Sequence, residues 1–295
     1  MTKSQLQKNA THDHRTTSSS SGSCIGVCSW SLQPRDPQHL LDSVRRLDVH
    51  GVQIALSPVV NDPETWAGAV DLLRGAGVSI LSGMMATAGE DYSTLESIAR
   101  TGGVRPDHTW EANRQHALAV AELAAASGIE LVTFHAGFIP EAADDPERPV
   151  LLDRLRWIAD AFAERGLRLG FETGQETAET LEQALAELNR ANVGVNFDPA
   201  NMILYGKGDP VDALRRLLPH IVQIHVKDAV PATTEGQWGV EVPVGEGAVD
   251  WDAFLEAATK IRPAVNFVIE REAGSSREAD IIAARTRIAA YLNRL

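Results

Sequence analysis

Beyond residue 24, short apolar runs alternate with longer segments whose apolar residues recur every three to four positions. The first run is Ile25–Ser29. Asp36 and Pro37 then supply an N-cap and a first-turn proline for a helix over Pro37–Leu47. Gly51–Leu56 predicts a second strand, and Asp62-Pro63 repeats the helix-start signal before a helix over Glu64–Arg74, stopped by Gly75 and Gly77. Val78–Met84 predicts the third strand. An insertion over Ala86–Val104 carries a short helix around Ser93–Ala99; an Ala-rich helix over Thr109–Ser127 and a fourth strand over Leu131–His135 follow. Strands over Leu167–Glu172, Val193–Asp198, Ile221–Val226 and Asn266–Glu270 then interleave with helices over Leu151–Arg165, Thr177–Arg190, Pro210–Leu218, Trp251–Ile261 and Arg277–Asn293.

Strands that alternate with helices in this way predict parallel βαβ units, and right-handed crossovers around a closed sheet make a barrel. The expected fold class is therefore α/β, a (β/α)8 TIM barrel forming a single domain over residues 24–295. An open doubly wound sheet is the alternative, but no Gly-rich dinucleotide loop follows the first strand. Residues 1–23 are polar, end in a Thr/Ser-rich run, and predict a disordered tail in which His12 and His14 are solvated. That stretch lacks the apolar h-region of a secretory signal, and no apolar run approaches the ~20 residues that cross a bilayer. The expectation is a cytoplasmic protein without a membrane partner.

Composition adds limits. Hydrophobic residues at 44% and charged residues at 23% match a soluble domain with a large core, and aromatics at 5% leave that core to Ala, Leu, Ile and Val. A formal net charge of −13 repels nucleic-acid phosphates and anionic lipids, which excludes both as expected partners. Cys24 and Cys28 are too few for a disulfide framework or a structural zinc site, and read as ordinary thiols. A homo-oligomer is compatible with these totals.

In such a barrel the active site lies at the C-terminal ends of the strands. Here the strands end in Phe134-His135-Ala136-Gly137, Phe171-Glu172-Thr173-Gly174, Asn196-Phe197-Asp198-Pro199, Ile224-His225-Val226-Lys227-Asp228 and Ile269-Glu270-Arg271-Glu272. Any one acid there could merely cap the next helix. Several in consecutive units need a shared counter-charge, because an isolated buried charge is costly. One divalent cation satisfies them together. Three carboxylates with an imidazole suit Mn²⁺ first, with Mg²⁺ or Co²⁺ as alternatives.

These pieces, with Cys28-Ser29-Trp30-Ser31-Leu32, Glu172-Thr173-Gly174-Gln175-Glu176-Thr177, Asp198-Pro199-Ala200-Asn201-Met202 and Val244-Gly245-Glu246-Gly247, resemble the xylose-isomerase-like TIM barrels of the sugar phosphate isomerase and epimerase type. The resemblance runs from about Gly26 to the C-terminus. The Glu, Asp, His, Glu order is similar to the metal set of ketose 3-epimerases, which implies Glu172, Asp198, His225 and Glu270 as ligands. It also implies Glu172 and Glu270 as the acid/base pair that moves a proton next to a substrate carbonyl, with the cation stabilising the enediolate.

Two positions depart from the ketose 3-epimerase pattern. Asn201 stands where those enzymes carry a substrate-contacting His, and Ala229-Val230-Pro231 stands where they carry an Arg. The expected activity is thus a metal-dependent isomerase or epimerase acting on a small sugar or sugar derivative. A lyase or dehydratase acting on a keto-sugar, keto-glycoside or inosose is the runner-up, and a non-catalytic sugar-binding barrel comes third. An apurinic endonuclease of the same fold would need more strand-end His ligands and a surface less hostile to DNA. Substrate-binding candidates are His135, Glu176, Asn201, Lys227 and Trp30. Each has a plainer alternative: His135 could cap its strand, Glu176 could favour the next helix N-terminus, Lys227 could pair with Asp228 or another acid, and Trp30 could simply pack. The 242–247 segment predicts a tight turn across the barrel mouth.

Overall fold

The structure, a computed structural model, describes residues 22–234 and 236–292. Most of the tail expected over 1–23 lies outside the described residues. Among the described residues ten strands occur in chain order: β1 (Ile25–Cys28), β2 (Gly51–Ala55), β3 (Ser79–Met84), β4 (Leu131–Phe134), β5 (Arg168–Glu172), β6 (Val193–Phe197), β7 (Ile221–Val226), β8 (Asp228–Val230), β9 (Val240–Val242) and β10 (Phe267–Ile269). Eight of them close a barrel in the order β1-β10-β7-β6-β5-β4-β3-β2, with every pairing parallel. The TIM barrel expected from the sequence is the observed fold.

Strand alternation decides what fills the barrel. Successive side chains point to opposite faces, so Gln53, Asn196, Gln223 and His225 can face inward while Phe134, Phe171, Phe197, Ile224 and Ile269 are buried among the helices. At the N-terminal end, Gly26 and Gly51 bear no side chain, and Leu81 occupies the space that a Cβ on either would take. Gly194 makes room for Val222 in the same way. One layer higher the filling turns polar: Gln53 donates to Thr133 Oγ1 at 2.7 Å, Gln223 Nε2 donates to Gln53 Oε1 and Asn196 Oδ1 at 3.1 Å each, and Ser82 donates to Gln223 Oε1 at 2.6 Å. These buried amides satisfy one another across the barrel, as groups withdrawn from water must.

Several elements differ from the sequence expectation. The helix expected over Glu64–Arg74 is two pieces, Pro63–Trp66 and Ala69–Gly75, because Gly68 takes a left-handed φ of 79° that interrupts the helical hydrogen bonds. The helix in the insertion runs over Leu95–Thr101 behind a Thr94 cap, later than Ser93–Ala99. A further helix, Pro199–Leu204, starts directly at the end of β6. Beyond β7 the chain forms an unexpected antiparallel hairpin, β8 with β9. The 242–247 turn does not line the barrel-mouth cavity. It is tied down by Asp228, whose Oδ2 accepts from Gly245 N at 2.8 Å, Gly247 N at 3.3 Å and Trp251 Nε1 at 2.8 Å.

Candidate metal centre and active site

Four consecutive barrel strands in the chain deliver Glu172, Asp198, His225 and Glu270 to one point. Each offers a ligand atom within 4.8 Å of the others, and all four are buried. Local chemistry orients each one. Asp198 caps the helix that Pro199 opens: its Oδ1 accepts from Ala200 N at 2.8 Å and Asn201 N at 3.1 Å. Its Oδ2 has no hydrogen-bond partner among the described residues. His225 Nε2 lies 2.8 Å from Gln53 Oε1. Gln53 turns its own amide nitrogen to Thr133, so the imidazole proton is assigned to Nε2 and the lone pair to Nδ1.

That Nδ1 lies 3.5 Å from Glu172 Oε1, 3.8 Å from Asp198 Oδ2 and 3.4 Å from Glu270 Oε2, with no hydrogen-bond partner among the described residues. A buried imidazole nitrogen and a buried carboxylate oxygen, both orphaned and facing one another, are what a divalent cation would satisfy. The donor set therefore fits a metal. Cys28, His225 and Glu270 form a second cluster of potential ligands. Cys28 Sγ, however, approaches His225 from the Nε2 side at 3.7 Å, and burial pushes its thiol up to about 12. The four-residue set is the better cradle.

Glu172 and Glu270 are held differently. Asn201 Nδ2 donates to Glu172 Oε1 at 3.0 Å and Asn196 Nδ2 to Oε2 at 3.2 Å. Glu270 Oε1 accepts from Trp30 Nε1 at 2.6 Å, and Oε2 from Lys227 Nζ at 2.9 Å. Burial opposes charge on both. The imidazoles of His135 and His225 nonetheless hold Glu172 below its ordinary value, and Lys227 with His225 holds Glu270 well below it. Asp198 is pushed up to about 6 by burial, against the pull of Lys227. Burial also opposes charge on His225, but the carboxylates of Glu172 and Glu270 raise its proton affinity well above that of a free imidazole.

The expected substrate contacts divide. Trp30, His135, Asn201 and Lys227 line a cavity of about 690 Å³ that includes Glu172 and Glu270 in its wall. His135 Nε2 stands 3.7 Å from Glu172 Oε1. Lys227 pairs with Glu270 and Glu272 at 2.9 Å each, and not with Asp228. Glu176 is a correction: it is buried, does not line the cavity, and burial pushes its carboxyl up to about 8. Other residues of the site were missed. Gln53, Asn196 and Gln223 are polar residues inside apolar strand runs, a signal present in the sequence. Tyr92, Tyr205 and Trp238 also line the cavity, and they come from loops and a helix end whose course the sequence does not reveal.

Known proteins share this frame. A family described as xylose isomerase-like TIM barrel matches residues 41–291. A xylose isomerase domain protein from Planctomyces limnophilus superposes with a TM-score of 0.75 at 29% identity, over 86% of this chain and 89% of that one. Two more distant structures share the fold. A Mycobacterium smegmatis barrel in complex with magnesium has a TM-score of 0.66 at 17% identity, over 91% of this chain and 96% of that one. A D-allulose 3-epimerase from Methylomonas sp. has a TM-score of 0.67 at 14% identity, over 91% and 98%. A curated relative, the uncharacterized Escherichia coli protein YihM, is 24% identical over 147 residues; the match spans 49% of this chain and 43% of YihM, less than half of either. With the family match reaching across most of its length, the chain belongs to the xylose isomerase-like TIM barrel family.

Proposed function

We propose that this protein is a metal-dependent isomerase or epimerase that moves a proton on the carbon beside the carbonyl of a small sugar or sugar derivative. The observation that carries this is the pair of orphaned buried atoms, His225 Nδ1 and Asp198 Oδ2, facing two more carboxylates. Glu172, Asp198, His225 and Glu270 would hold the cation, Mn²⁺ by preference, with Mg²⁺ or Co²⁺ as alternatives. When bound, it supplies the charge that stabilises an enediolate oxygen. Glu172 removes the proton at a carboxylate oxygen. On the opposite face the ionised Glu270 relays a proton from the Lys227 ammonium, whose Nζ is 2.9 Å from its Oε2, and Lys227 is reprotonated from solvent. Asn201 and Asn196 fix the Glu172 carboxylate through both oxygens. His135 stands at the cavity wall to meet a sugar hydroxyl.

A second reaction fits the same residues. In a lyase or dehydratase, the Glu172 carboxylate takes the carbon-bound proton and the Lys227 ammonium protonates the departing oxygen, which leaves as water or an alcohol. The buried ammonium beside Glu270 is the observation favouring it. Solvent exchange and product analysis decide between the two. With Mn²⁺ and a panel of ketoses in D₂O, the wild-type protein should incorporate deuterium beside the carbonyl. Glu172→Gln should slow this by about 100-fold or more, the contribution of a positioned base. Exchange at the wild-type rate by both Glu172→Gln and Glu270→Gln would sink the assignment, and release of water or an aglycone would select elimination.

A further inference from the structure

Beneath the metal centre the barrel interior is polar, where barrels of this kind are ordinarily packed with branched apolar side chains. Gln53, Ser82, Asn196 and Gln223 are fully buried there, and none of them lines the cavity. Three carboxamides withdrawn from water cost free energy unless every polar group finds a partner, a cost that apolar residues of the same size avoid. Gln223 stands at the junction of this layer. It pairs with Asn196 in the β6–β7 register and precedes His225 by two residues, on the same face of β7.

The hydrogen bonds of this layer run in one direction. Gln223 Nε2 donates to Asn196 Oδ1 and to Gln53 Oε1 at 3.1 Å each, while its Oε1 accepts from Ser82 Oγ at 2.6 Å. An amide nitrogen only donates, so both neighbouring amides must turn an oxygen toward it. Asn196 is left with Nδ2 directed at Glu172 Oε2, 3.2 Å away, and Gln53 with Oε1 placed 2.8 Å from His225 Nε2. Glu172 fixes the sense of the chain, because a carboxylate only accepts and keeps Asn196 from turning over. Two groups compete for His225 Nε2. Asn196 Nδ2, 3.0 Å away, asks for a lone pair there, which would put the imidazole proton on Nδ1 among the carboxylates. Gln53 asks for the proton on Nε2. It has the shorter contact, and Gln223 holds its oxygen in place.

We propose that Gln223 is a positioning residue that couples the base Glu172 to the metal ligand His225. Through Gln53 it keeps the imidazole proton on Nε2 and the lone pair on Nδ1, the nitrogen that faces Glu172, Asp198 and Glu270. Through Asn196 it aims the Glu172 carboxylate. Ser82 holds Gln223 from the other side. This rests on the function proposed above and adds how its base and its metal ligand are oriented by one side chain that touches neither.

The test uses the full chain carrying Gln223→Met, close in shape but unable to donate. Mn²⁺ affinity by calorimetry should fall about tenfold, the lower end for a residue supporting a metal ligand. At saturating Mn²⁺, deuterium incorporation into a ketose that the wild type exchanges should lose about three- to tenfold in kcat, with KM little changed. Adding Gln223→Met to Gln53→Met should cost no further Mn²⁺ affinity, because both act on the same Nε2 contact. A Gln223 that serves only the fold would lower the thermal midpoint and leave affinity and kcat unchanged; that result, a change in only one of the two, or additive losses in the double variant overturns the proposal. If Gln223→Met does not fold, Ser82→Ala decides in its place. It frees Gln223 Oε1 and should lower both readouts about twofold or more, and unchanged values overturn the proposal. Failure of the proposed function reads differently. A wild type that takes up Mn²⁺ but exchanges no ketose proton loses that function, while the affinities still decide the His225 arm; one without Mn²⁺ affinity loses both. A wild type that exchanges, beside variants that match it, loses only this inference.

Discussion

Strands β5, β6, β7 and β10 bring Glu172, Asp198, His225 and Glu270 to the barrel mouth, whereas β1 to β4 finish on Cys28, Ala55, Met84 and Phe134. The division follows from the cost of buried charge. Carboxylates can be taken out of water together only if they share a counter-charge within a few ångströms. Contiguous strands in one half of a closed sheet meet that condition, and strands spread around the whole ring would not. The neutral half supplies other things. Gln53 on β2 reaches across to His225 Nε2, Trp30 after β1 donates to Glu270, and Met84, Met85 and Pro58 give apolar wall. One half holds charge and the other orients it and shapes the cavity.

The largest expected effect breaks the charged half. Asp198→Asn keeps a side-chain oxygen for the helix cap but removes the anionic oxygen that faces His225 Nδ1. Mn²⁺ affinity, followed by calorimetry, should fall by more than the about 100-fold typical of losing a supporting residue, with an unchanged circular dichroism spectrum. An unchanged affinity would mean that Asp198 serves only as the cap of the 199–204 helix.

A smaller effect should come from the neutral half. Gln53→Met is close in shape and removes the oxygen that receives the His225 Nε2 proton. A drop of about 10- to 100-fold in Mn²⁺ affinity is expected, because the imidazole loses its fixed tautomer and orientation. No change would confine the neutral half to packing.

The mildest test is Trp30→Phe, which preserves the ring and deletes the indole N–H on Glu270 Oε1. A hydrogen bond to the ionised form lowers a carboxyl pKa, so removing it raises that of Glu270. The acidic limb of the activity profile should therefore move to higher pH, with a few-fold loss of rate at neutral pH. A limb that stays in place would argue that Lys227 and His225 set the ionisation of Glu270 without Trp30.

Particular residues show where legibility stopped. The alternation of elements was plain because the strand runs are largely apolar and several helices begin with a side-chain cap such as Asp36, Asp209 or Asp250. The Glu64–Arg74 segment was misread as one helix because its period continues through Gly68, whose backbone angle the side-chain pattern does not encode. The β8–β9 hairpin was missed for another reason. Its strands are three residues each, and they are held by Asp228 and the 243–249 turn, contacts remote in sequence. Glu176 resembled the other acids in its motif, yet it is buried and does not line the cavity, a placement its local sequence does not encode.

From the order of its residues alone this chain specifies eight strand–helix units and places four ionisable side chains at consecutive strand ends, since period and strand parity are local properties. Tertiary structure decided which of those atoms meet. Closure of the barrel turns His225 Nδ1 and Asp198 Oδ2 toward one point, sets Trp30 and Lys227 on Glu270, and brings Tyr92, Tyr205 and Trp238 into one wall. Those are contacts between residues far apart in the chain, made by packing and by the pairing of buried polar groups, and no local pattern encodes them.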